Sequence, residues 1–172
     1  WTPRAFAGAT LVAAARGDAG ALVADAPPRQ QLFELGNEQN LFGYAYKEFA
    51  GDRAAVARGT LMLLSPWWRA PLRVGRAFVL PGIEPGVSIG LQGGWADASN
   101  AAARAAVARL DPSPRRVPRT GAIVDGARPT DGVRGSFVAG LRFFGGSTLV
   151  GAARPLERDA RWRFVLRLAQ GL

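Results

Sequence analysis

Few side chains in this chain could carry covalent or acid–base chemistry. Histidine and cysteine are both absent. Their absence removes the commonest general base, the thiolate nucleophile and most zinc ligand sets. One segment has the letters of a nucleophile elbow: Gly86-Val87-Ser88-Ile89-Gly90. That elbow needs a sharp strand-to-helix turn and a histidine partner. Here an apolar/polar alternation runs straight on past Gly90, so Ser88 reads as a small polar strand residue. Glu34, Glu38 and Glu48 gather in one stretch, where carboxylates are most simply solvated or paired with arginine, and catalysis by them is not expected. The glycine pairs do not form a phosphate loop. The expectation is a protein that is not an enzyme, with no cofactor and no metal site.

The formal charge is +9, carried almost wholly by arginine, since Lys47 is the only lysine. Basic charge can neutralise nucleic-acid phosphate. It can also line a polar barrel interior or face anionic lipid headgroups. The arginines are spread along the chain rather than clustered, so nucleic acid is not the expected partner. No apolar run reaches the length of a transmembrane helix, but membrane β-strands are short and only half apolar, so a membrane barrel stays open.

The elements that must position these residues are mostly strands. The 22 glycines and 12 prolines fall between apolar segments, as turn punctuation. Residues 5–15 lean towards strand, Gly17-Asp18-Ala19-Gly20 reads as a turn or loop start, and Pro27-Pro28 interrupts regular structure. Phe33 to Asp52 is long and aperiodic. Its content of Phe33, Leu35, Leu41, Phe42, Tyr44, Tyr46 and Phe49 argues against disorder, so it must pack on something. Residues 53–67 predict a strand with Ala57, Gly59, Leu61 and Leu63 on one face and Val56, Arg58, Thr60, Met62 and Leu64 on the other. Trp67 and Trp68 follow; they suit an interfacial aromatic girdle or the cap of a soluble core equally well. Residues 69–85 read as a connector.

Residues 86–97 give a plain period of two: Val87, Ile89, Leu91, Gly93 and Trp95 oppose Ser88, Gly90, Gln92, Gly94 and Ala96. Residues 99–110 predict the one helix, capped by Ser99 or Asn100 and ended by Pro112. After a Pro-rich polar loop come strands around Phe137–Phe143 and Leu149–Arg154. The last one sets Trp162, Phe164, Leu166 and Leu168 against Arg163, Val165, Arg167 and Ala169. The chain finishes on this amphipathic strand, as outer-membrane barrels commonly do.

In order along the chain, ELGNEQNLFGYAYKEFAGD, LPGIEPGVSIGLQGGWAD, GSFVAGLRFF and the terminal GSTLVGAARPLERDARWRFVLRLAQGL resemble segments of the bacterial surface-antigen family of outer-membrane barrels, the BamA/TamA-like assembly barrels. The resemblance covers most of the chain. It implies an all-β, antiparallel transmembrane β-barrel, of which residues 1–172 would be the C-terminal five or six strands, with one short helix in a loop. Strands and any periplasmic domains before Trp1 would complete the molecule. A loop over about 20–52 would enter the lumen, carrying Gly36, Leu41, Phe42, Gly43, Tyr44, Phe49, Gly51 and Asp52. Gln92, Gly94 and Arg142 would be wall positions facing it, and a second loop over about 97–131 would hold the helix. Trp162, Phe164, Leu166 and Leu168 would lie on the seam strand.

Location in the bacterial outer membrane would follow from the resemblance, with lipid and lipopolysaccharide as surroundings. The implied function is assembly of outer-membrane proteins or polypeptide translocation, with unfolded outer-membrane or secreted polypeptides as partners. Two positions depart from the family. Its loop carries Arg where this chain has Phe42, and its wall usually carries Asp where this chain has Gln92. Losing both partners of a buried ion pair can be nearly neutral, whereas losing one is costly. The loop is therefore expected to dock by apolar contact, with Phe42 near Gln92 and Gly94. Leu172 also departs from the family's usual terminal Phe. Two other readings are a passive barrel anchor or pore for a fused enzyme or binding domain, and a soluble β-sandwich binding module whose apolar faces meet each other.

Overall fold

The computed structural model describes residues 8–36, 40–75, 78–110, 115–116, 123–124, 127–157 and 159–168. In chain order its elements are β1 (Thr10–Ala21), a 3-10 turn (Arg29–Gln31), β2 (Phe33–Leu35), β3 (Phe49–Gly51), β4 (Arg53–Leu64), β5 (Leu72–Val74), β6 (Phe78–Leu80), β7 (Gly86–Asp97), α1 (Ala101–Ala108), β8 (Arg115–Arg116), β9 (Ile123–Val124), β10 (Arg134–Phe143), β11 (Thr148–Pro155) and β12 (Arg163–Leu168). The fold is all-β with one short helix. No helix among the described residues is long and apolar enough to cross a membrane.

Six strands form one antiparallel sheet in the order β1-β4-β7-β10-β11-β12. Each long strand thus pairs with the next long strand in the chain. The register runs Thr10↔Leu64 to Ala21↔Arg53, then Arg53↔Asp97 to Leu64↔Gly86, with Arg134↔Gly94 opening the next ladder. Among the described residues, three two-stranded antiparallel sheets lie outside it: β2-β3, β5-β6 and β8-β9.

One face of the large sheet exposes a row of large apolar side chains. On β7 the large residues Val87, Ile89 and Leu91 are 52%, 51% and 57% exposed, while Ser88 and Gln92 between them are 6% and 7% exposed. Leu61 and Leu63 of β4, Leu141 of β10, and Phe164, Leu166 and Leu168 of β12 are likewise exposed. The alternation read from the sequence is thus observed, with its large apolar row facing outwards.

Residues 32–36 and 40–52 cover the other face, and they do so as a folded-back hairpin. β2 and β3 pair antiparallel, Phe33↔Gly51 to Leu35↔Phe49, and carry a wide head between them. That head joins two clusters. Leu35, Leu41, Tyr44 and Phe49 pack with Ala54 of β4 and Ala96 of β7. Phe42 packs with Val138 of β10, Leu149 and Ala153 of β11, and Val165 of β12. Neighbouring residues Leu41 and Phe42 therefore reach strands from β4 to β12. Laid flat, four strand spacings would put those strands about 19 Å apart, so the sheet is curled around the hairpin.

Several boundaries differ from those expected. Gly17-Asp18-Ala19-Gly20 is not a turn: β1 runs through it to Ala21. Gly20 faces the hairpin, and a Cβ there would collide with the Phe33 ring. Its small size makes room for an aromatic side chain and does not mark a bend. The connector 69–85 contains the hairpin β5-β6. The helix spans Ala101–Ala108 and is capped by Asn100, whose Oδ1 accepts the Ala103 amide at 2.7 Å. Ser99 is drawn away to Asp52. Pro112, the expected helix end, lies outside the described residues, as do Glu38, Ala169 and Leu172. Ala103 and Val107 of α1 pack with Leu32, Ala50 and Ala98, covering the end of the sheet from which the hairpin enters.

Candidate functional site

The site is the folded-back hairpin and the sheet wall beneath it. Two turns shape its head. Gly36 has φ +98°, and its carbonyl accepts the Lys47 amide at 2.9 Å, closing the neck of the head. Asn40 secures the same neck: its Oδ1 accepts the Gly36 amide at 3.0 Å and its Nδ2 donates to the Glu34 carbonyl at 2.8 Å. Gly43 has φ +83°, and a Cβ there would come within 2.8 Å of Pro155 Cδ. Positive φ together with this close approach to β11 restricts the position to glycine.

The two sides of Gly43 do different work. Before it, Leu41 is fully buried and lies against Gly94, whose missing side chain leaves the space for it. The Phe42 ring is 3% exposed within its cluster, and the Phe42 amide donates to Gln92 Oε1 at 2.8 Å. The Ser136 hydroxyl reaches the same Oε1 at 3.4 Å. After it, the Tyr44 hydroxyl donates to the Gly135 carbonyl at 3.0 Å. Burial, with Glu157 adding to it, pushes that hydroxyl up to about 12, so it stays protonated as a donor. Tyr44 packs edge-on against Phe49, with ring centroids 5.2 Å apart, and Arg128 and Arg134 lie over the Phe49 ring at 5.4 and 5.9 Å.

The base of the hairpin is tied to the second loop. Gly51 passes so close to the Asp97 backbone that a Cβ would overlap it. Asp52 is fully buried and accepts hydrogen bonds from the Ser99 amide at 2.9 Å and from the Ser99 hydroxyl. Burial pushes the Asp52 carboxyl up, but these donors, with Arg53 nearby, outweigh it and hold the group below its ordinary value. The Ala50 amide donates to the Arg128 carbonyl at 2.9 Å, and the Thr130 amide to the Ala96 carbonyl at 2.8 Å, so the returning arm of the helix loop clamps the hairpin from outside.

The structure therefore brings Leu41, Phe42, Gly43 and Tyr44 onto Gln92 and Gly94, with Gly36, Phe49, Gly51 and Asp52 as their support. Phe42 meets Gln92 through its main chain, while Leu41, not Phe42, fills the space at Gly94. Arg142 does not join the group. Its Nε donates to Ser88 Oγ at 3.0 Å and its Nη1 to the Gly146 carbonyl at 3.0 Å, near the opposite end of the sheet. Ser88 accordingly sits in a continuous strand, without the turn of a nucleophile elbow. Trp162, Phe164, Leu166 and Leu168 lie on and beside the edge strand β12 and are all exposed.

Sequence reasoning missed the Gly20–Phe33 contact, the Ser99–Asp52 bonds and the Arg134–Glu157 pair at 2.6 Å. Only the first left a signal, a glycine on the inward row of a strand. With Gly20 of β1 included, the hairpin touches every strand of the large sheet. Comparison with protein-family models, curated proteins and solved structures finds no match to this chain.

Proposed function

We propose that this chain forms part of the wall of an outer-membrane β-barrel, and that the barrel serves outer-membrane protein assembly or polypeptide translocation. The observation that carries the reading is the polarity of the sheet: its outward row of large apolar side chains is exposed, while its inward row, small and polar on β7 and mixed with Val138, Leu149 and Val165 on β10–β12, is covered by the hairpin. Contiguous apolar patches on soluble monomers rarely exceed a few hundred Å². A lipid-facing strand instead alternates apolar-out and polar-in. In a soluble sandwich the large residues of Val87-Ile89-Leu91 would face a second layer, yet the layer present covers the opposite face. β1, β4 and β7 are twelve residues each, which suits a tilted crossing of the hydrocarbon core.

Six strands are fewer than the roughly eight of the smallest single-chain barrels, so further strands would complete the wall between β1 and β12. The assembly reading is supported by a hairpin that fills the concave face from strand to strand, and by an edge strand, β12, whose outer side chains are all apolar.

Two measurements test the two levels separately. Flotation of the full-length protein with lipid vesicles, resistant to carbonate extraction, tests the barrel; recovery in the soluble fraction overturns it. Depletion in the native host tests the function. The expected result is a fall in folded outer-membrane proteins or in secreted polypeptides. Unchanged levels of both would assign a passive anchor or pore.

A further inference from the structure

The concave face carries a charge imbalance that the hairpin does not use. Arg16 and Arg58 are direct cross-strand partners on that face. Like charges placed opposite each other on a sheet are destabilising. Asp18 relieves them in part: it takes Arg16 at 2.8 Å and lies 3.9 Å from Arg58. Arg142 and Arg167 are both paired in register with Leu149, so they flank one buried residue on the same row. Arg167 lies within Coulomb range of both Arg142 and Arg58. The curl of the sheet thus collects guanidinium groups from β1, β4, β10 and β12 around one concave basin. Among the described residues, half-buried Arg142 donates to a hydroxyl and a carbonyl, which engage two of its five N–H groups and do not cancel its charge. Glu84, on the turn leading into β7, is taken up by Arg69 at 2.8 Å.

We propose that this basin binds a small multivalent oxyanion of the phosphate or pyrophosphate class. A concave wall with an excess of one sign of charge, here four guanidinium groups against Asp18, focuses potential and concentrates counter-ions. Planar guanidinium groups suit the geometry of phosphate oxygens. The basin lies on the face opposite the exposed apolar row, so a free oxyanion, and not a bilayer headgroup, is the ligand. The inference rests on the curl of the sheet and stands or falls independently of the assembly role.

The test is thermal unfolding of the full-length folded protein in detergent, titrated with inorganic pyrophosphate while chloride holds the ionic strength constant. The expected result is a saturable rise in unfolding temperature. Arg142→Gln with Arg167→Gln should abolish that response, each protein being read against its own unfolding temperature without pyrophosphate, because the change also removes the Arg142 bonds to Ser88 and Gly146. Arg142→Lys with Arg167→Lys should keep part of the response. A structural role alone would lower the unfolding temperature with and without the anion. The proposal is overturned by no response in the parent protein or by an equal response in the Gln variant. A second arm compares vesicles of zwitterionic and anionic lipid. Stabilisation by anionic lipid that disappears in the Gln variant, without a pyrophosphate response, would assign the arginines to headgroups and overturn the free-anion site.

Discussion

The main-chain amide of Phe42 donates to Oε1 of Gln92 at 2.8 Å, joining the tip of the hairpin to the middle of β7. Both residues are buried. This one bond fixes the depth of the hairpin, because the Phe42 ring then falls between β10, β11 and β12. Gln92→Leu leaves the Phe42 amide buried without an acceptor, a loss of about 1–3 kcal/mol. Gln92→Glu keeps an acceptor and places a carboxylate opposite Arg58, its cross-strand partner. Urea unfolding midpoints in detergent should therefore fall for Gln92→Leu and change much less for Gln92→Glu.

The Phe42 ring packs with Val138, Leu149, Ala153 and Val165. Phe42→Ala should cost about 3–5 kcal/mol if the head cannot collapse around the cavity. Phe42→Arg should be worse than Phe42→Leu, because it buries an unpaired charge. Combining Phe42→Arg with Gln92→Asp should recover part of that loss, which a double-mutant cycle of unfolding midpoints would read as a coupling energy. Additive effects would show that position 42 does not communicate with position 92.

Gly43→Ala should destabilise the hairpin head, through the positive φ of the position and the approach of the new Cβ to Pro155. The expected loss is about 1–3 kcal/mol. Limited proteolysis of residues 37–47 should accelerate relative to the parent, while β-sheet circular dichroism stays unchanged. Equal cleavage rates would contradict the docked head.

Acid should loosen the joint between the hairpin base and the helix loop. The folded Asp52 carboxyl sits below its ordinary value of 3.8. A depressed folded pKa means the stabilisation is complete above that ordinary value and is lost as pH falls from it through the folded value. Asp52→Asn should lose stability at neutral pH and lack this acid-dependent part. Unfolding midpoints compared between pH 7 and pH 2 should converge for parent and variant at the acid end.

Ile89→Lys discriminates a lipid-facing surface from a water-facing one. At an exposed site in water such a change is worth within about ±0.5 kcal/mol. At the midplane of a lipid-facing barrel wall it costs about 2–4 kcal/mol. Refolding into vesicles, read by the gel mobility of unheated samples, should be impaired for Ile89→Lys and normal for Ser88→Thr. Unimpaired refolding of Ile89→Lys would count against the bilayer.

The sequence by itself determined that five or six long strands build the molecule, the faces of β4, β7, β10, β11 and β12, and the existence of a packed loop over 33–52, but not the short strands such as β5 and β6. Period-two alternation is local, so each strand carries its own record of two environments. What alternation cannot state is which environment is water, and Val87-Ile89-Leu91 against Ser88-Gly90-Gln92 would read the same in a sandwich. Only the tertiary structure decided it, because burial depends on what covers each face. The same limit explains Gly20, taken as a turn signal until the Phe33 ring is seen to need its space. It also explains Leu41 and Phe42, whose apolar character was plain but whose targets on β7 and on β10–β12 follow from the curl of the sheet. Long-range pairings such as Ser99 with Asp52 leave no local period to read. They arise where two loops meet at one end of the sheet, and sequence distance says nothing about that meeting.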